Sequence, residues 1–199
     1  RRHPSGLVLH DARSSWIVPE RVAELGGQTR YCKVGHAYIK KQMRQDAAVF
    51  AGEVSMHYFF TEIWNVESSD LVMLWLLKLM AASGKKLSEL MVGLRRYAHA
   101  DEMNFTVEDK PRVMARCKER YAAQASSVSE LDGLRLEFRD AAEPENDWWF
   151  NVRASNTEPL LRLNVETRTL EQTQAKIKEL SELIQPSLQL PASYFRTSH

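Results

Sequence analysis

The stretch WWFNVRASNTEPLLRLNVET, residues 148–167, consists of two apolar runs separated by a short polar segment. Aromatic residues, Val and Leu dominate the two runs, which predicts a pair of neighbouring β-strands. The segment between them, residues 153–157, sets a guanidinium, two hydroxyls and a carboxamide close together and contains no glycine. Tight two-residue hairpins favour glycine. The connection therefore indicates a loop with a task beyond reversing the chain.

The segments around these two strands predict a domain of the α+β class. A strand over 103–108 and a helix over 110–124 precede two short strands around LDGLRLEF (131–138), and a helix over 170–184 follows the opening stretch. Helices and antiparallel strands are segregated in this arrangement. We expect residues 189–199 to form an exposed tail.

The chain before residue 99 alternates strands with helices. Strands are predicted over 5–12, 28–34 and 48–55, and helices over 14–27 and 35–47 lie between them. This alternation predicts the α/β class, with a mixed, mainly parallel sheet and helices on both of its faces.

Two helical runs rich in Leu and Met, residues 68–84 and 85–98, close this first part. Their spacing is typical of helices packed in a core, so we expect both to be buried. Asp, Glu, Asn and Pro cluster directly afterwards, which places a domain boundary there. We therefore predict an α/β domain over 1–98 and a smaller α+β domain over 99–199.

Composition and charge narrow the class of protein. The 199 residues are 44% hydrophobic and 27% charged, as in ordinary soluble globular proteins, and a net charge of +1 attracts neither nucleic acid nor a membrane surface. Cys32 and Cys117 form neither a disulfide framework nor a metal pattern, which favours a reducing cytoplasm. The longest apolar stretch, 71–82, is shorter than the roughly twenty residues that span a bilayer. Because the chain starts at Arg1 rather than at Met, we expect it to be a piece of a longer protein.

Polar side chains follow each of the three strands predicted in the first part. The first strand ends with Asp11 and Arg13, the second with Lys33 and His36, and the third with Glu53, Ser55 and His57. The carboxyl ends of parallel strands share one edge of a sheet, where functional groups collect. Each side chain has an ordinary explanation as a loop residue, but together they predict a site for a polar ligand.

The polar segment 153–157 suits a phosphate group. Hydrogen-bond donors exceed acceptors around one fixed positive charge, and backbone N–H groups of the turn add further donors. The alternative is an Asx or Ser/Thr turn whose side chains satisfy its own backbone. Turn chemistry alone favours this alternative.

Several separated motifs resemble one family. NVRASNTEPLLRLNVET (151–167) is similar to the phosphate-binding loop in the C-terminal domain of the α-D-phosphohexomutases, the phosphomannomutase and phosphoglucomutase family. GEVSMHYFF (52–60) resembles the family's sugar-binding loop, and HDAR (10–13) and KVGHAYIKKQMR (33–44) resemble the segments upstream of it. The motifs occur in the family's order along essentially the whole chain.

The resemblance implies that this chain supplies the third of four domains, without its first helix, and the fourth. Glu53 and Ser55 would bind sugar hydroxyls, with Arg13 and His36 lining the same cleft. His57 would lie near the transferred phosphate as the candidate catalytic residue. The phosphate that is not transferred would be held by four residues of the opening stretch: Arg153, Ser155, Asn156 and Thr157.

The reaction that the resemblance implies moves a phosphoryl group between O1 and O6 of a hexose phosphate, through a phosphoserine and a bisphosphorylated intermediate. Mg²⁺ would be the cofactor, hexose 1,6-bisphosphate the activator, and the N-terminal domains of the same enzyme the partner. The family's serine loop and Asp-rich magnesium loop belong to those domains, and the sequence contains neither. We therefore expect this chain to hold no magnesium ligands and to be inactive alone.

Two other functions stay open at this point. The chain could be a sugar-phosphate-binding module without chemistry. It could also bind nucleic acid through the basic helix that carries Arg112, Arg116, Lys118 and Arg120, although such a helix is more typical of a solvated face. One residue departs from the family's sugar loop: Met56 stands where Gly or Ala is usual, and a positive φ there would make it costly.

Overall fold

The computed structural model describes residue 3 and residues 5–155 and 158–186, and the chain divides into two compact units, Arg1–Arg96 and Tyr97–His199. The tail expected over 189–199 lies outside the described residues. Among the described residues, no helix combines the length and apolar character needed to cross a bilayer.

The described part of the first unit contains a five-stranded sheet and four α-helices. Its strands are β1 (Leu7–Asp11), β2 (Gln28–Cys32), β3 (Phe50–Gly52), β4 (Tyr58–Phe60) and β5 (Val66–Glu67). Its helices are α1 (Ile17–Glu24), α2 (His36–Asp46), α3 (Ser69–Ser83) and α4 (Leu87–Val92).

The strand order β2-β1-β3-β4-β5 makes this a mixed sheet, because β1 pairs in parallel with β2 and β3 whereas β4 pairs antiparallel with β3 and β5. Leu9, Cys32, Ile39, Ala51 and Phe59 form its core with no measurable exposure. The predicted α/β class is confirmed. Since β1, β2 and β3 run in parallel, the loops that follow them leave the same edge of the sheet.

Two strands of this sheet, β4 and β5, were not predicted. They are three and two residues long, and the turn between them contains Trp64 and Asn65, both with a φ near +60°. Segments this short carry no readable alternation of apolar and polar residues. The pairing of β4 with β3, and of β5 with β4, supplies the order that local sequence does not.

The prediction that the Leu- and Met-rich helices are buried was wrong. No residue of α3 or α4 is buried, and Met73, Leu74 and Leu77 of α3 are each more than half exposed. α3 carries apolar side chains on all of its faces, and this composition indicates a helix that packs against another segment. The composition does not indicate which segment that is. The described residues of the chain leave the helix exposed.

In its described part the second unit contains an antiparallel sheet of six strands and two α-helices. Its strands are β6 (Ala98–His99), β7 (Met103–Phe105), β8 (Ser127–Ser129), β9 (Leu134–Phe138), β10 (Trp148–Ala154) and β11 (Leu161–Thr167). Its helices are α5 (Lys110–Tyr121) and α6 (Leu170–Ile184).

The sheet order is β6-β11-β10-β9-β8, with β7 also paired to β11. Val113 and Cys117 of α5 and Ile177 of α6 pack with Phe150 and Leu163 of the sheet in one hydrophobic core. The antiparallel α+β class predicted for this part is confirmed. The opening stretch forms β10 and β11, the two longest strands at seven residues each.

Cys32 and Cys117 are free and fully buried. Burial raises the pKa of the Cys117 thiol to about 11 from its ordinary 9.0. We expect neither thiol of the native chain to react with Ellman's reagent at pH 8, because both sulfurs are inaccessible and the reactive thiolate of Cys117 is scarce. In denaturant both should react. A fast native phase would contradict the buried packing of these residues.

Candidate functional site

Asp11, at the end of β1, organises the loops at the carboxyl edge of the first sheet. Its carboxylate accepts hydrogen bonds from the backbone N–H of Arg13 at 2.8 Å, from the Arg13 guanidinium at 2.6 and 3.2 Å, and from the backbone N–H of Val54 at 3.0 Å. Asp11 is fully buried and the Arg13 side chain is 8% exposed. This pair therefore ties the loop after β1 to the loop after β3. The sequence placed Asp11 at this strand end but did not predict that it joins the two loops.

Glu53 connects the loop after β3 to the start of α2. The residue is 5% exposed, its Oε1 accepts the N–H of Gly35 at 3.1 Å, and its own N–H donates to the carbonyl of His57 at 2.9 Å. These bonds fix the orientation of the carboxylate. Ser55, two residues further on, is exposed at the tip of the same loop.

His36 and His57 lie side by side on this edge, with ring centroids 4.8 Å apart. Both face Glu67, whose carboxylate lies 3.2 Å from Nδ1 of His36 and 2.6 Å from Nδ1 of His57. The hydrogen bond with His57 is the main cause that lowers the pKa of Glu67. Sequence reasoning missed Glu67 because its placement depends on the pairing of β5 with β4, which was not predicted.

Met56 adopts a left-handed backbone conformation, with a φ of +67°, and its side chain is 70% exposed. The left-handed region costs a residue with a Cβ roughly 1–2 kcal/mol. The structure thus meets the condition under which Met56 is costly, since its backbone suits glycine.

Replacing Met56 with glycine is therefore expected to stabilise the chain by about 1 kcal/mol, because relief of the left-handed strain exceeds the entropy that glycine loses on folding. Equilibrium unfolding in urea would measure the change. Val54→Gly is the matched control in the same loop, since Val54 does not have a positive φ and should lose stability. Destabilisation by Met56→Gly would show that the side chain makes a contact worth more than the strain.

The second unit buries Arg153 on β10, where the side chain is 3% exposed and lies opposite Arg162 of β11. Glu102 accepts from Nη2 of Arg153 at 3.4 Å, from Nη1 of Arg162 at 2.9 Å and from Nδ2 of Asn164 at 3.0 Å. Arg162 also pairs with Glu158. The Nε atoms of both arginines are buried and have no hydrogen-bond partner among the described residues.

The turn between β10 and β11 partly satisfies its own backbone, as the alternative explanation requires. The hydroxyl of Ser155 accepts the N–H of Glu158 at 3.2 Å, and the N–H of Ser155 donates to the carbonyl of Leu160 at 2.9 Å. Asn156 and Thr157 lie outside the described residues. Of the four residues predicted to hold the phosphate, the structure therefore describes Arg153, on β10, and Ser155.

Sequence reasoning missed Arg162, Asn164 and Glu102. Arg162 and Asn164 alternate along β11, so they share one face of the sheet, and Arg162 pairs directly with Arg153. The period of two along LRLNVET could have identified the two β11 residues. Glu102 lies 51 residues from Arg153, and no local pattern connects the two.

Magnesium does not fit the group of ligands that the described residues bring together. Among the described residues, the one group of three or more side chains able to share a metal ion is His36, His57 and Glu67. Mg²⁺ prefers six oxygen ligands, whereas this group provides two imidazole nitrogens and one carboxylate. No magnesium-dependent step is therefore assigned to residues of this chain.

Comparison with known proteins identifies the family. The family model for phosphoglucomutase/phosphomannomutase, alpha/beta/alpha domain III, matches residues 1–97, and that for the phosphoglucomutase/phosphomannomutase C-terminal domain matches residues 102–183. The chain belongs to the phosphoglucomutase/phosphomannomutase family.

Relatives and solved structures agree with this assignment. The chain is 40% identical over 177 residues to a phosphomannomutase of Methanocaldococcus jannaschii, covering 89% of this chain and 37% of that protein. A phosphoglucomutase/phosphomannomutase family protein of Burkholderia thailandensis matches with a TM-score of 0.74 and 25% identity, over 96% of this chain and 40% of that one.

A structure of Aspergillus fumigatus N-acetylphosphoglucosamine mutase in complex with glucose 1,6-bisphosphate shares the fold, with a TM-score of 0.64 and 11% identity over 93% of this chain and 39% of that one. The chain spans 36% to 37% of the length of the first relatives that it matches.

Proposed function

We propose that this chain is the recognition half of a phosphomannomutase-like enzyme that interconverts hexose 6-phosphate and hexose 1-phosphate. The observation that carries the proposal is the buried Arg153, paired across the strands with Arg162. Two guanidinium groups whose Nε–H donors have no partner among the described residues favour an anion that accepts several hydrogen bonds at once. The phosphate that is not being transferred is such an anion.

Glu102 supports this assignment because it holds both arginines in place. Its carboxylate contacts a guanidinium of each arginine and the carboxamide of Asn164. A bound phosphate would share these donors with Glu102, and the carboxylate would keep the two like charges together before the ligand arrives. The site is thus prepared in advance, which lowers the cost of ordering it on binding. Ser155, Asn156 and Thr157 would add donors from the turn.

The edge of the first sheet would hold the sugar. Glu53 would accept two sugar hydroxyls and so read their orientation, with Ser55, Arg13 and His36 around it. The hydrogen bond from Gly35 to Glu53 and the bonds from Arg13 and Val54 to Asp11 support this role, because they fix the loops before ligand binds. His57 would lie near the transferred phosphate.

In the complete reaction a phosphoserine would give its phosphoryl group to the free O1 or O6 of the sugar, breaking one P–O bond as the other forms. The resulting hexose 1,6-bisphosphate would then turn over and return its other phosphoryl group to the serine. Because either phosphate must fit the same distal site, recognition has to rest on groups that are common to both orientations.

The serine, the magnesium ligands and the first two domains would belong to a longer cytoplasmic protein, with hexose 1,6-bisphosphate as its activator. Two observations support such a partner. The chain spans 36% to 37% of its relatives, and α3 leaves Met73, Leu74 and Leu77 more than half exposed. An apolar helix face of this kind is typical of a surface that another segment covers. That segment would be part of the N-terminal half.

Calorimetric titration of the chain with mannose 1-phosphate, mannose 6-phosphate, glucose 1-phosphate and free mannose tests the proposal. We expect similar affinities for the two mannose phosphates and much weaker binding of mannose, because the arginine pair contributes only to the phosphate esters. The affinity for glucose 1-phosphate, compared with that for mannose 1-phosphate, shows which orientation of the C2 hydroxyl the site prefers. Binding of only one mannose phosphate would contradict a site that accepts both orientations.

A further inference from the structure

Three potential metal ligands from three different elements meet at the edge of the first sheet. His36 begins α2, His57 directly precedes β4, and Glu67 ends β5. One ligand atom of each lies within 4.8 Å of the others, and in the part of the chain that the structure describes no other group of three does so. We call these residues the His–His–Glu cluster.

The ligand set of the cluster selects a class of metal ion. Imidazole nitrogen suits Zn²⁺, Co²⁺, Ni²⁺ and Cu²⁺, and one carboxylate beside two imidazoles is a known ligand set of zinc sites that keep a fourth position open. Hard ions such as Mg²⁺ and Ca²⁺ require mostly oxygen ligands. The side chains of His36, His57 and Glu67 are 54%, 38% and 28% exposed, so an ion can reach them from solvent.

The distances from Glu67 to the two histidines lie near those of a metal site. Four ligands at about 2.05 Å around a tetrahedral zinc ion lie roughly 3.3 Å from one another. The separation of 3.2 Å between Nδ1 of His36 and Oε2 of Glu67 already matches. The 2.6 Å between Nδ1 of His57 and the other carboxylate oxygen, Oε1, is that of a direct hydrogen bond. A bound ion would take the place of the proton in that bond and move the two side chains apart by less than about 1 Å. Their partial exposure leaves room for this shift.

We propose that the His–His–Glu cluster binds one divalent transition metal ion of the zinc class, with the fourth position open to water. Ion binding does not depend on the proposed function. One consequence does depend on it: His36 and His57 would be withdrawn from the sugar site, so the ion and hexose phosphate would compete.

Titration of the chain with Co²⁺, followed by visible absorption, tests the site directly. After treatment with a chelator and buffer exchange, the chain should bind one equivalent of Co²⁺ with the intense bands of a four-coordinate ion, and one equivalent of Zn²⁺ should remove them. Glu67→Gln and His57→Asn should each weaken Co²⁺ binding at least about tenfold, because each removes a ligand and not merely its support. Far-UV circular dichroism would verify that the variants are folded.

The matched controls are Glu62→Gln and His99→Asn. Glu62 lies 3.6 Å from His3 in a separate His–carboxylate pair, and His99 is exposed on β6. Neither substitution should alter Co²⁺ affinity. Absence of stoichiometric binding to the chain, or an equal loss in the controls, would overturn the proposed site.

Calorimetry with and without one equivalent of Zn²⁺ separates this proposal from the proposed function. Weaker binding of mannose 1-phosphate in the presence of Zn²⁺ would support competition at His36 and His57. Unchanged sugar-phosphate affinity in a chain that binds Zn²⁺ would refute competition. If Zn²⁺ binds and mannose 1-phosphate does not bind even to the metal-free chain, the proposed function fails and the metal site stands.

Discussion

Replacing Gly133 with alanine is expected to destabilise the second unit by about 3 kcal/mol or more. Gly133 has a φ of +71°, and an added Cβ would lie 2.5 Å from Cβ of Arg153 and 2.6 Å from its Cα, and would also meet the carbonyl oxygen of Val152. The left-handed backbone contributes roughly 1–2 kcal/mol to this loss, and forcing β10 away contributes about 1–3 kcal/mol.

Thermal unfolding would measure this effect as a fall of roughly 15 °C in the midpoint of the second unit. Gly84→Ala is the control, measured at the midpoint of the first unit, since its φ of +66° is similar and an added Cβ meets nothing within 4 Å. The control isolates the cost of the left-handed backbone, so the Gly84→Ala variant should lose only about 1 kcal/mol of unfolding free energy. Equal losses in the two variants would show that the approach of β10 to Gly133 contributes nothing.

Replacing Arg153 with glutamine is expected to weaken binding of mannose 1-phosphate and mannose 6-phosphate by roughly 10- to 150-fold, while leaving free mannose unaffected. Hydrogen bonds to a charged group contribute about 1.5–3 kcal/mol, and this range converts to that loss of affinity. The fold should survive, because Glu102 keeps its bonds to Arg162 and Asn164. Calorimetric titration with each ligand would provide the affinities.

Two further variants sharpen this test. Arg153→Lys keeps the positive charge without the planar guanidinium. Its affinity for the mannose phosphates should lie between that of the glutamine variant and that of the unaltered chain. Arg112→Gln removes an exposed arginine at the start of α5 and should change neither affinity. Equal weakening of mannose and its phosphates by Arg153→Gln would refute the assignment of a phosphate site to this strand pair.

The class of each domain could be predicted because it rests on local patterns. Alternating helices and strands before residue 99, and segregated ones after it, correspond to the mixed sheet and the antiparallel sheet that the structure contains. Apolar runs also predicted the strand Leu7–Asp11 and the two strands of the opening stretch, because these runs are long enough to be recognised as strands. The three-residue strand β3 was predicted within the longer segment 48–55, whereas β4 and β5, three and two residues long, were missed.

The residues at the ends of the first three strands could likewise be predicted as neighbours, because parallel strands bring their carboxyl ends to one edge. The specific contacts that hold the two sites together could not be predicted. The bond from Val54 to Asp11 joins residues 43 positions apart, and Glu102 contacts Arg162 across 60 positions. Contacts at such separations follow from the pairing of strands and not from residues that are adjacent in the sequence.

By itself, the sequence determined which chemical groups this protein can offer: a guanidinium and hydroxyls in one loop, and a carboxylate with imidazoles in others. The tertiary structure alone decided that Arg153 and Arg162 share contacts with Glu102, and that Glu67 lies beside His36 and His57. It also decided that the described residues leave α3 exposed. The reason is physical. Periodicity and turn chemistry act over a few residues, whereas the position of a side chain in a site is set by the strands and helices packed around it.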